Sequence, residues 1–118
     1  MLIINNQKFK QAILSALADK EMHTILDSVI FRARSFNEIV KETGIPHTTA
    51  FRKIKSMLDE GIIIVEKIEI SSDGKKFSLF RSTLKSIVVK YQMGELMIEV
   101  EENANAMSKV AERFFSID

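Results

Sequence analysis

The stretch from Ser35 to Gly61, SFNEIVKETGIPHTTAFRKIKSMLDEG, constrains the fold of this chain more than any other. Ser35 and Glu38 have capping-box spacing: a serine hydroxyl that accepts the Glu38 N–H, and a glutamate carboxylate that reaches back to the Ser35 N–H. That fixes the start of a helix over about Phe36 to Glu42. Gly44 follows where a left-handed residue ends a helix. Pro46 suits the first turn of the next helix, because its missing N–H would have no partner there. The second helix runs to about Glu60, and Gly61 supplies its stop. Two helices joined by a tight turn containing glycine read as a helix-turn-helix unit.

The flanking segments complete the pattern. Phe9, Ala12, Ile13, Ala16 and Leu17 recur at helical spacing, which predicts a helix over Lys8 to Leu17. Asp19 can cap another, with Met22, Ile25, Leu26, Val29 and Ile30 on its apolar face. Arg32-Ala33-Arg34 breaks that pattern and is read as a short strand. After Gly61, the β-branched run Ile62 to Ile70, the turn residues Ser72-Asp73-Gly74-Lys75 and the return from Lys76 to Ser82 predict a hairpin with a basic tip. Leu84 to Glu101 fits two patterns. Leu84, Ile87, Val88 and Tyr91 have helical spacing, yet Ile87-Val88-Val89 is β-branched and Leu96, Ile98 and Val100 alternate with Glu99 and Glu101. Two strands about a Met93-Gly94 turn are preferred. Met107, Val110, Ala111 and Phe114 predict a last helix within Asn103 to Phe115.

At 118 residues the chain has the length of one domain, and its 46% apolar content supplies a core. No cysteine is present, which removes disulfides, thiolate nucleophiles and zinc–thiolate sites together. The N-terminus has no signal-peptide pattern, and no run approaches the roughly 18 apolar residues of a membrane span. A cytoplasmic protein is expected. Net charge is only +1, but it is uneven. Residues 1–92 hold 15 Lys/Arg against 10 Asp/Glu, and residues 93–118 hold 2 against 6. The basic excess coincides with the helix pair and hairpin.

On a helical wheel of about 100° per residue, Ala50, Ile54, Met57 and Leu58 fall on one side of the second helix. Thr48, Thr49, Arg52, Lys55, Ser56 and Asp59 fall on the other. Short hydroxyls at a helix N-terminus, followed by long cations, suit a helix laid in the major groove of a duplex. A solvated helix face has the same composition. With the hairpin beside it, the ordered set Glu38-Ile39-Val40, Gly44-Ile45-Pro46, Thr48-Thr49-Ala50-Phe51-Arg52 and Leu58, Gly61, Ile62, Ile63 resembles winged helix-turn-helix transcription regulators, in particular the ArsR-like group common in archaea. The resemblance covers roughly Lys20 to Arg81. It implies a mainly α fold with small β content: an N-terminal helix over 1–18, a winged helix-turn-helix domain over 19–83, and an extra C-terminal β-hairpin and terminal helix over 84–118.

The resemblance implies a homodimer that binds double-stranded DNA sequence-specifically. Thr48, Thr49, Arg52 and Ser56 are then candidates for base contacts. His47, Lys53, Lys55, Lys75, Lys76, Arg32 and Arg34 are candidates for phosphate contacts, with His47 equally readable as a plain exposed turn residue. Two terminal apolar stripes, Phe9, Ile13 and Leu17 and then Met107, Val110 and Phe114, either close over the core or pair with a second subunit. Metal-sensing relatives use cysteine pairs or His/Asp clusters. With no cysteine and only His23 and His47, no metal or cofactor is expected. No nucleophile–base pair or phosphate-cradling glycine loop appears, so an enzyme is not expected. The alternative is a protein-interaction module within a larger assembly, marked by an apolar or neutral face where DNA binding needs a positive one.

Overall fold

The computed structural model of the chain describes residues 1–103. Four helices, α1 (Gln7–Ala18), α2 (Lys20–Ser28), α3 (Phe36–Thr43) and α4 (His47–Asp59), are joined by six strands. These are β1 (Leu2–Ile3), β2 (Arg34–Ser35), β3 (Ile63–Ile70), β4 (Lys76–Ser82), β5 (Leu84–Gln92) and β6 (Glu95–Glu102). The strands form two antiparallel sheets of three, in the orders β1-β6-β5 and β2-β4-β3.

Local chemistry sets the helix ends. Asn6 accepts the Phe9 N–H at 2.9 Å and opens α1, and Asp19 accepts the Met22 N–H at 2.9 Å and opens α2. The capping box at α3 is complete: the Ser35 N–H donates to Glu38 Oε1 at 2.9 Å, and the Glu38 N–H donates to Ser35 Oγ at 3.1 Å. Gly44 closes α3 at φ 72°, in the left-handed region that glycine enters without a Cβ penalty. Pro46 lies just outside α4, as its N-cap, and provides no side-chain hydrogen bond.

The mainly α expectation is corrected. The described residues are α+β, with 41% helix and 35% strand. Both hairpins are long, and each recruits a two-residue strand from elsewhere: β2 pairs Arg34 and Ser35 with Phe80 and Leu79, and β1 pairs Leu2 and Ile3 with Val100 and Glu99. The segment 1–18 therefore carries a strand as well as a helix. Residues 84–101 form strands, turning at Met93 and Gly94, both at positive φ.

One buried cluster draws on all four helices and both sheets, including Phe9, Ile13, Ile25, Ile39, Met57, Ile63, Phe80, Ile98 and Val100. Phe9 and Ile13, each 1% exposed, are thus spent on the chain's own core and cannot meet a second subunit. Leu17 is half-buried against the same cluster. Met107, Val110 and Phe114, with the expected terminal helix, lie outside the described residues.

A buried polar seam joins the sheets where β4 passes into β5. Thr83 Oγ1 donates toward the Gly61 and Ile62 carbonyls at 2.9 and 2.8 Å. Asn103 Nδ2 donates to the Ser82 carbonyl at 2.8 Å and the Ile30 carbonyl at 3.2 Å. Buried polar groups satisfied in this way hold the β5–β6 hairpin to the helical body in one register.

Candidate nucleic-acid interface

Helix α4 is fixed on its inner face and on both flanks. Ala50, Ile54 and Met57 are buried beneath it. On one flank Lys53 donates to Asp19 Oδ2 at 2.5 Å and lies 3.6 Å from Glu21, so its ammonium ties α4 to the start of α2. The Asp19 carboxyl is held below its ordinary range, first by the Lys53 hydrogen bond and then by the Met22 N–H. On the other flank Phe51 meets the edge of Phe36, with ring centroids 6.3 Å apart, and Phe36 lies 5.6 Å from the His47 ring.

What remains outward is His47, Thr48, Arg52 and Lys55, all exposed, with Thr49 half-buried beside them. Ser56 is half-buried and donates to Glu60 Oε1 at 3.1 Å, two turns beyond the helix start. With no side chain capping α4, its first-turn N–H groups keep their donors for an outside acceptor.

The β3–β4 hairpin stands beside this face. Its turn is held by the Ser71 N–H to the Lys75 carbonyl at 2.8 Å and the Gly74 N–H to the Ser71 carbonyl at 2.9 Å. Ser71 Oγ also bonds Asp73, which with the Lys75 N–H holds the Asp73 carboxyl below its ordinary range. Lys75 and Lys76 project from the tip, both exposed. A groove of about 700 Å³ separates the tip from the start of α3, lined by Phe36, Asn37, Asp73, Lys75, Lys76 and Phe80 among others. A second, apolar cleft of about 420 Å³ is lined by Phe36, Phe51, Ile54, Lys55, Leu58 and Phe80. Phe36 and Phe80 line both, so the two concavities adjoin.

The sequence-read cations divide into two sets. Lys53 is occupied as described, and its side chain is only 12% exposed. Arg34 donates to the Ser28 carbonyl at 2.6 Å and pairs with Glu42 at 3.0 Å. Arg32 pairs with Glu38 at 3.2 Å. These three were read as phosphate contacts; in the structure each is paired with a carboxylate of its own chain, Arg32 in an exposed pair and Arg34 and Lys53 in more covered ones. Arg52, Lys55, Lys75 and Lys76 form no ion pair among the described residues. The free set lies wholly on α4's outer face and the hairpin tip.

The aromatic wall of Phe36 and Phe51 was missed as a functional feature. The wheel places Phe51 about 90° from the buried centre, and an apolar residue at that boundary next to Arg52 was the available signal. Among the described residues no group of three His, Cys, Asp or Glu is placed to hold a metal ion, and no helix is long and apolar enough to cross a membrane. No family model, curated protein or solved structure matches this chain.

Proposed function

We propose that this chain is a sequence-specific, double-stranded-DNA-binding transcription regulator that works in the cytoplasm as a homodimer, with α4 in the major groove and the β3–β4 tip on the flanking backbone. The observation that carries this reading is the division of the cations. Arg32, Arg34 and Lys53 are paired with carboxylates, while Arg52 and Lys55 on α4 and Lys75 and Lys76 at the hairpin tip, like the exposed Lys8, Lys20, Lys41 and Lys90 elsewhere, form no ion pair among the described residues. Cations left without a carboxylate on α4 and the hairpin tip keep their charge for a polyanion. Thr48 and Thr49 at the uncapped start of α4 suit phosphate or base edges, and the planar fork of Arg52 suits guanine. The ArsR-like resemblance is retained for α3, α4 and the β3–β4 hairpin.

A dimer places two such faces about 34 Å apart on one side of the duplex, so the operator is near-palindromic. With the α1 stripe buried, one exposed apolar group available to a second subunit is on the β5–β6 hairpin, at Val88, Val89, Tyr91 and Met93. Fluorescence anisotropy against random duplex at low salt, followed by selection from a random pool, tests the reading. Arg52→Ala is expected to weaken selected-site binding by about 1–3 kcal/mol and relax one base preference. Absence of duplex binding at low salt removes it.

A second reading, a protein-docking module, draws on β3, the outer strand of the β3–β4 hairpin. Ile68 and Ile70, 62% and 66% exposed, sit opposite Ser78 and Lys76. Exposed aliphatic residues grouped on one strand suit an apolar partner better than a phosphate backbone. Weaker duplex binding in both Arg52→Ala and Lys55→Ala separates the readings in favour of DNA.

A further inference from the structure

We infer that Phe51 is a specificity-determining residue that reads the C5-methyl group of a thymine in the major groove. The inference rests on the duplex-binding reading above and adds to it the identity of one base pair. Phe51 is 63% exposed, although its helix neighbours Ala50 and Ile54 are buried. Its ring is not loose on the surface. Phe36 meets it at an interplanar angle of 69°, and Phe36 is in turn backed by His47. The exposed ring therefore has a set position in the lining of the apolar cleft, which it shares with Lys55 and Phe80.

Chemistry narrows what such a ring can meet. It offers neither a donor for phosphate nor a hydrogen-bonding edge for guanine, adenine or cytosine. The apolar feature that the major groove presents is the thymine methyl. Phe51 lies in the N-terminal half of α4, the part of a recognition helix that reaches base edges, and directly precedes the residue assigned to a guanine. The two side chains would thus read neighbouring steps in different ways, one by contact with a methyl and one by a hydrogen-bonding fork.

The test uses the full chain and a duplex selected from a random pool. Each thymine is replaced in turn by deoxyuracil, which keeps the hydrogen-bonding pattern and removes only the methyl. One replacement per half-site is expected to weaken wild-type binding about 4-fold, the value of one buried methyl. Phe51→Ala should bind the thymine and uracil duplexes equally, Phe51→Leu should keep part of the difference, and Arg52→Ala should keep all of it. Thermal unfolding of each variant confirms that it is folded. If the wild type binds duplex but no uracil replacement matters, or if the difference survives in Phe51→Ala, the assignment to Phe51 is wrong and the duplex reading stands. If no duplex binds at low salt, both fall together.

Discussion

Lys53 and Lys55 are two residues apart on one helix, carry the same charge, and are expected to fail in opposite ways. Lys55 is exposed and without a carboxylate partner among the described residues, whereas Lys53 is bonded to Asp19 and Glu21. Each phosphate contact adds about 0.9 to the slope of log affinity against log salt. Lys55→Ala removes one contact from each protomer of the dimer and should therefore flatten that slope by about 1.8, so that between 50 and 200 mM salt the variant loses about 12-fold less affinity than the wild type. Its stability should stay within about 0.5 kcal/mol, as for most surface changes. Lys53→Ala removes a largely covered ammonium. Exposed pairs contribute about 0–1 kcal/mol and fully buried ones about 3–5 when broken; because Asp19 and Glu21 keep a third or more of their side chains in water, we expect about 1–2 kcal/mol. For a domain of this size each kcal/mol lowers Tm by about 4 °C. The assays are duplex titration by anisotropy at four salt concentrations and urea unfolding followed by circular dichroism. Slope loss in Lys53→Ala together with an unchanged slope in Lys55→Ala would refute the division of cations on which the functional reading stands.

Ser35→Ala removes the acceptor that opens α3 and should cost about 1 kcal/mol in urea unfolding; replacement by Gly should cost only a few tenths. Gly44→Ala meets no atom within 4 Å, so its cost is conformational alone, about 1–2 kcal/mol from φ +72°, and Gly44→Asn should recover part of it. Asp19 and Glu38 both have folded pKa values below their ordinary 3.8 and 4.5, Asp19 through Lys53 and Glu38 through the Ser35 N–H. Their contribution is therefore complete above about pH 5 and lost as the pH falls through the lowered folded values. Unfolding free energy measured from pH 7 to pH 2.5 should fall on that acid limb, and Asp19→Asn should make the fall shallower. Phe9→Ala should cost about 3–5 kcal/mol through the cavity it leaves, at every protein concentration; a cost that grows on dilution would point to an interface instead.

The parts of the fold legible in the sequence are those fixed within a few residues. Ser35 and Glu38 bond each other across three residues, Gly44 ends α3 by its own φ, and the turn at Ser71 to Lys75 closes on itself. β-branched runs, strand alternation and turn residues together gave the two hairpins, because each is a record kept within a few residues. The parts that were not legible are set by distant pairing. Nothing in Leu2-Ile3 announces a strand until Val100 and Glu99 lie beside it, nearly the whole described chain away. The same limit led the apolar stripe of α1 to be read as a possible subunit contact. A stripe states that a helix face is covered, and only the packing states by what.

The candidate site divides along the same line. A helical wheel gives the outward face of α4, so Thr48, Arg52 and Lys55 follow from spacing. It does not give what stands against the flanks. Lys53 and Phe51 occupy opposite flanks, and their parts are decided by neighbours far along the chain or across a turn: Asp19, 34 residues away, for the one and Phe36 for the other. Asp19 illustrates how much one residue can hide. As a cap it is visible in sequence; as the partner of Lys53 it is visible only once α2 and α4 are packed. That double use gives the functional argument its physical footing. A cation bound to a carboxylate of its own chain would have to give up that partner to meet a phosphate, whereas an unpaired one gives up only water. Bases and phosphates should therefore be met by Arg52, Lys55, Lys75 and Lys76, and the charge that counts in binding is the part the fold leaves uncompensated rather than the total in the sequence.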